Sequence, residues 1–207
     1  MTVIANTIAR PHPGKGMMVQ SRARQLAEIY ARHGASVRVA SVISGPNTGC
    51  VVVSRAYADF RTAARAFQAV QNDPAHIEFW RDVEANPGAD TVIARDIART
   101  VYGELRWNTH PFSHIRVYEI SRDKLADALQ LFPEVANLVS KADANVVGLV
   151  PVTGENLSTM AVSYQFRSVE HWAEGLDTVG MSDEFQAIVT KAAKFGALRA
   201  SFAMTSL

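Results

Sequence analysis

Ser36-Val37-Arg38-Val39-Ala40-Ser41-Val42-Ile43-Ser44-Gly45-Pro46-Asn47 and, 109 positions further on, Asn145-Val146-Val147-Gly148-Leu149-Val150-Pro151-Val152-Thr153-Gly154-Glu155-Asn156 are the two stretches that decide the architecture. Laid on one another without a gap, they place Gly45 on Gly154 and Asn47 on Asn156. Both residue types tolerate positive φ, which a tight hairpin demands. The same offset sets Tyr57 on Phe166, Ala64 on Ala173, Phe67 on Leu176 and Val70 on Val179, so the apolar pattern persists where identities are few. We read a diverged tandem repeat.

Working outward, each copy spells β-α-β-β-α-β. In the first, Thr2–Arg10 alternates as a strand, and Met17–His33 carries Val19, Ala23, Leu26 and Tyr30 at helical spacing, closed by Gly34. Val37–Ser44 and Gly49–Ala56 form the hairpin. Asp59 caps a helix with a predicted core stripe of Phe60, Ala63, Phe67 and Val70; Asp73 and Pro74 restart it through Ile77, Trp80 and Val83, and Thr91–Thr100 is the last strand. In the second, His114–Ile120 is a strand, Asp123–Lys141 a helix interrupted at Pro133, and Asn145–Thr153 with Leu157–Phe166 the hairpin. Ser168 and Ser182 cap two helical stretches, with Val169, Trp172, Leu176 and Val179 on one face of the former, before a final strand over Leu198–Thr205.

These readings divide the chain into ferredoxin-like units over 1–103 and 112–207, joined by the short linker Gly103–Pro111. Each antiparallel sheet has helices on one face only, and its bare face needs a cover. The fold class expected is α+β, the two sheets packing into a barrel within one chain or between two. A homodimer is among the arrangements this allows.

Composition bounds the function. The 207 residues are 48% hydrophobic and 20% charged, with a net charge of +1, which is globular and lacks the basic footprint of nucleic-acid or anionic-membrane binding. That charge is the sum of unequal halves: 13 basic and 9 acidic residues to Trp107, 8 and 11 after it. Opposite signs favour one unit against the other. The first strands agree, with Ala5, Thr7 and Ala9 where the second unit has His114, Arg116 and Tyr118, small facing large. The amino terminus has no signal-peptide pattern and no apolar run reaches the ~20 residues of a membrane span, so a soluble, cytoplasmic protein is expected. The single cysteine, Cys50, lies in a strand and reads as a packed thiol.

Ser168-Val169-Glu170-His171-Trp172-Ala173-Glu174 with Ser182-Asp183-Glu184-Phe185-Gln186-Ala187, echoed by Phe67-Gln68 and Asn72-Asp73-Pro74, resembles the second-helix signature of the dimeric α+β barrel superfamily, in its NIPSNAP and antibiotic-biosynthesis-monooxygenase-like branches. The resemblance implies paired ferredoxin-like sheets. The families the chain resembles include cofactor-free oxygenases of electron-rich aromatic molecules, haem-degrading oxygenases and many members without known activity. Haem-degrading members resemble one another in a first-strand Asn and a second-helix Trp followed by a His. Asn6 matches the first, but no histidine follows Trp172 and His76 precedes Trp80, so haem degradation is not implied.

Set against the second unit, two polar residues stand out: Asn6 falls on Ile115 and His76 on Phe185. A polar side chain on a buried face needs a partner or a ligand. Asn6 and His76 are therefore the candidate catalytic pair, hydrogen-bond donor and general base sharing one sheet–helix cavity; the alternative is a satisfied amide and a half-exposed histidine. Trp80 and Trp172 are candidate walls for an aromatic ligand, with core packing as the alternative, and His171 joins them as the other histidine beside a tryptophan. Trp107 is expected to cover the seam between units. His110 and His114 are i,i+4, but Pro111 forbids the helix that would make them a metal pair, and Gly14-Lys15-Gly16 lacks the Walker spacing. No metal and no cofactor are expected. The partner expected is a small apolar or aromatic molecule, bound either by a cofactor-free monooxygenase-like enzyme or by a non-catalytic binding or scaffold protein.

Overall fold

A computed structural model describes the backbone of residues 1–207 and the side chains of 1–90 and 96–207. The element order is β1 (Val3–Pro11), α1 (Gly16–Arg32), β2 (Ser36–Ser44), β3 (Val51–Tyr57), α2 (Phe60–Gln71), α3 (Pro74–Ala85) and β4 (Ala89–Tyr102). It is followed by β5 (Phe112–Ile120), α4 (Leu125–Leu129), α5 (Phe132–Ser140), β6 (Asn145–Thr153), β7 (Thr159–Phe166), α6 (Val169–Gly175), α7 (Asp183–Ala192) and β8 (Gly196–Ser206). One π-helical turn, Leu176–Gly180, joins α6 to α7.

The local signals act as their chemistry requires. The Asp59 carboxylate accepts from the Thr62 amide, Asp73 from Ala75, Ser168 from His171 and Ser182 from Phe185, each satisfying an amide at a helix start. Gly45 and Asn47 take φ of +82° and +64° in the first hairpin, and Gly34 takes +85° beyond α1. Pro133 sits in the first turn of α5, which splits the long helix expected there into α4 and α5.

The eight strands close into one barrel in the order β1-β3-β2-β8-β5-β7-β6-β4, all neighbours antiparallel. Within it, β4-β1-β3-β2 and β8-β5-β7-β6 are the two ferredoxin-like sheets, and the β2–β8 and β4–β6 ladders join them inside a single chain. Alternation sorts the side chains. Ala40, Val42, Cys50, Val52, Ile115 and Met204 pack inside the barrel; Val39, Val51 and Val53 face α1. Cys50 is fully buried and free. Arg38 also points inward, its Nε donating to Ser206 Oγ (2.9 Å), Nη1 to Ser113 Oγ (2.8 Å) and Nη2 to the Pro111 carbonyl (2.6 Å). Burial brings its guanidinium down to about 10, so it stays charged at neutral pH and pins the β2–β8 seam and the linker together.

Three expectations need correction. The halves do pack one against the other, but not through ion pairs: every ion pair among the described residues lies within one half, and the seams are backbone ladders with side-chain hydrogen bonds such as those of Arg38 and of Thr153, which accepts from the Ile97 amide. The small face of β1 does not meet the large face of β5. Each faces its own helices, Ala9 packing with α1 and Tyr118 with α5 and α7. Of the predicted stripe of α2 only Val70 is fully inside; Ala63 is half-buried, Phe60 and Phe67 are 40% and 43% exposed, and Ala66, outside the stripe, is the other buried residue. Among the described residues no helix is long and apolar enough to cross a membrane.

Candidate functional site

The small residues of β1 leave a space. Across the first sheet, register places Arg55, Ala5 and Ile97 in one row and Tyr57 beside Val3 in the next, all facing the helices. Above this floor α2 contributes Phe60, Ala63, Ala64 and Phe67, and α1 contributes Tyr30. Between them lies a cavity of about 410 Å³, within the size of ligand pockets, with an almost wholly apolar wall. The half-exposed Phe60 and Phe67 form its mouth. This is why they break the core stripe: they border a space instead of filling one.

Arg55 is the exception on that floor. It is 97% buried, and no carboxylate lies within 4 Å of it among the described residues. Its Nε donates to the Ala5 carbonyl (3.2 Å) and its Nη2 to Thr7 Oγ1 (2.8 Å), while the guanidinium carbon sits 4.6 Å from the centre of the Tyr30 ring. Burial pushes the Tyr57 phenol up; the Arg55 charge opposes this in part and Tyr30 adds to it, so Tyr57 remains a protonated donor at neutral pH.

In the second half the corresponding space between sheet and helices is largely filled. At the equivalent row, Tyr164, His114 and Ala203 replace Arg55, Ala5 and Ile97, and Arg116 reaches over the Tyr164 and Phe185 rings at 5.9 and 5.4 Å. Two residual voids of about 50 and 30 Å³ are left, room for water but not for an aromatic ring. His114 is held there by both ring nitrogens, Nε2 with Ser201 Oγ (2.8 Å) and Nδ1 accepting from Trp172 Nε1 (3.3 Å). Burial first, then the Arg116 charge, lowers it to about 4.

The residues singled out from sequence do not assemble into one site. Asn6 and His76 lie on opposite faces of the first sheet, because Asn6 shares the inward register of Ile4 and Ile8. Its Oδ1 accepts from Ser54 Oγ at 2.7 Å inside the barrel. His76 is buried on α3, its ring against Tyr30, and its Nε2 accepts the Trp80 indole N–H at 2.9 Å. The pair cannot share a cavity, and Trp80 stands beside His76, outside the cavity wall. His171 is a local clamp, its Nδ1 accepting from the Arg167 amide and its Nε2 donating to the Ala142 carbonyl (2.7 Å). Trp172 packs between Phe112 and His114 in the filled half. Trp107 lines a groove with Met1, Thr2 and Tyr57 at one end of the barrel, and His110 is buried, its Nε2 3.3 Å from the Asp143 carbonyl. The residues missed were Arg55, Tyr30 and Tyr57. Arg55 had a signal: in Val51-Val53-Arg55-Tyr57 a charge occupies a helix-facing position whose neighbours are all apolar or aromatic.

With this geometry established, comparison with known proteins is informative about architecture. No family model and no curated protein matches the chain. Solved structures do. An anthrone oxidase-like protein superposes with a TM-score of 0.64 at 12% identity, covering 100% of this chain and 91% of the other. A candidate monooxygenase of Fusobacterium nucleatum gives 0.62 at 10% identity (100% and 92% covered), and a heme-degrading enzyme of Listeria monocytogenes 0.53 at 8% (97% and 98%). The fold is an α+β barrel of the ferredoxin-like type. At such identities the likeness reaches no further than fold.

Since one of these relatives handles haem, the cavity can be tested for it. Among the described residues no histidine, cysteine or methionine lines the wall. Of the two phenols, Tyr57 is held protonated by burial and Tyr30 lies under a guanidinium whose charge would repel ferric iron. The cavity does not fit haem.

Proposed function

We propose that the chain binds one small apolar, aromatic molecule in the cavity of its first half and oxygenates it without a cofactor. The observation that carries this reading is the cavity itself: about 410 Å³, floored by Val3, Ala5 and Ile97 and rimmed by Phe60 and Phe67, in a half whose counterpart is filled. We read the halves as diverged copies of one unit, 1–103 and 112–207, of which only the first keeps its pocket. The anthrone oxidase-like and monooxygenase relatives support the choice of reaction.

The reaction class is conversion of a methylene beside a conjugated carbonyl into a second carbonyl. The substrate loses a proton, its carbanion passes one electron to O2, the two radicals combine as a hydroperoxide, and this loses water, so that CH2 and O2 become C=O and H2O. The apolar wall serves by excluding bulk water from the carbanion. With His76 turned away, the wall offers no histidine or carboxylate as base among the described residues. Deprotonation therefore depends on the substrate's own acidity.

That lack of a base also favours a second reading, a carrier that binds without reacting. Anthrone under air separates the two. An oxygenase consumes one O2 per quinone formed, seen by an oxygen electrode and by visible absorbance. A carrier binds anthrone and shows neither. In both, Ala5→Phe, which copies the bulk of the second half onto the cavity floor, is expected to weaken binding at least about tenfold with circular dichroism unchanged. Unchanged binding in that variant would sink the site.

A further inference from the structure

We propose that the cavity of the first half selects ligands bearing an oxyanion, a carboxylate or an ionised enol, and that Arg55 is the group that reads it. This inference rests on the cavity being a ligand site. A buried guanidinium is costly unless its charge is matched, and here nothing acidic matches it: the wall is apolar, the Tyr30 ring covers one face, and no carboxylate lies in range among the described residues. The Ala5 carbonyl and Thr7 hydroxyl occupy Nε and one N–H of Nη2, leaving Nη1 with no hydrogen bond to a described residue while Arg55 lines the cavity. Those two anchors fix the planar fork. Its remaining N–H groups are those a planar oxyanion accepts in pairs.

The neighbours suit the same ligand. Tyr57, protonated at neutral pH, is a neutral donor in the same wall, and the cavity offers no acceptor carboxylate to repel an anion. The second half supplies an internal contrast, since at the position of Arg55 it has Tyr164, and the space there is filled. The guanidinium of that half, Arg116, instead lies over the Tyr164 and Phe185 rings that fill the space. An oxyanion bound beside Arg55 also answers the lack of a base, because the guanidinium favours the ionised form of an acidic enol without any side chain accepting the proton.

The test compares 2-naphthoate, methyl 2-naphthoate and 2-naphthol by isothermal titration calorimetry on the wild-type chain and on Arg55→Gln and Arg55→Lys. The expected result is that naphthoate binds at least about tenfold more tightly than its ester, that Arg55→Gln abolishes the preference while the ester keeps its affinity, and that Arg55→Lys retains part of it. Bound naphthol should ionise at lower pH than free naphthol, read by its absorbance in the wild-type chain. That measurement stands even if Arg55→Gln fails to fold, and it distinguishes an enolate-type ligand from a carboxylate. Ester and acid binding equally, or a preference that survives Arg55→Gln, overturns the inference and leaves the cavity reading intact. If no naphthyl compound binds, the cavity reading fails and this inference with it.

Discussion

His114 shows how a single side chain carries the state of its surroundings. Both its ring nitrogens are engaged in the filled half, and burial with the Arg116 charge brings it down from 6.5 to about 4. Its neutral form is the one the fold accommodates, so the unfolded chain binds a proton that the native chain refuses between pH 6.5 and 4. The linked stability is fully present above pH 6.5 and is lost as the pH falls from there through about 4. Urea midpoints measured from pH 7 to pH 4 should therefore decline, and His114→Gln should flatten that decline; an equally steep acid limb in the variant would refute the assignment. Asn6 teaches the complementary lesson. Its polarity among Ile4 and Ile8 was visible in the sequence, but Ser54, directly across the ladder, satisfies it, and a cross-strand partner is invisible until the register is known.

At the scale of elements, helix and sheet approach closely where α5 meets β6. Gly148 faces Phe132, whose ring stacks on Tyr102 at 4.9 Å, and a Cβ at Gly148 would come within 2.5 Å of Phe132 Cζ. Gly148→Ala should destabilise by about 1–3 kcal/mol, measured by urea denaturation, because the stacked ring has to move. Strands, caps and turns were legible beforehand since their causes are local: alternation, Asp59, Asp73, Ser168 and Ser182, and the hairpin Gly45 and Asn47. Two things were not. Helical periodicity cannot distinguish a residue that fills a core from one that borders a void, so Phe60 and Phe67 read as packed. The facing of β1 depends on closure of the barrel, a long-range event, so the contrast of Ala5 and Thr7 with His114 and Arg116 is visible in the sequence but the interface it belongs to is not. Correctly placed, that same contrast is what marks the open cavity and the closed one.

For the whole molecule, the barrel has no free sheet edge, and the two ladders that complete it, β2 with β8 and β4 with β6, are made within one chain across the linker Gly103–Pro111. A barrel assembled from separate chains comes apart on dilution. Tethering makes closure a first-order event, governed by the effective concentration of one half about the other rather than by how much protein is in the tube. Thermal midpoints measured over a hundredfold range of protein concentration should therefore coincide, and a midpoint that climbs with concentration would contradict closure within the chain. Because the halves need not be alike to find each other, either can change without a matching change in the other. A chain so tethered can hold one half packed and the other open, an asymmetry closed to any barrel built from two identical copies.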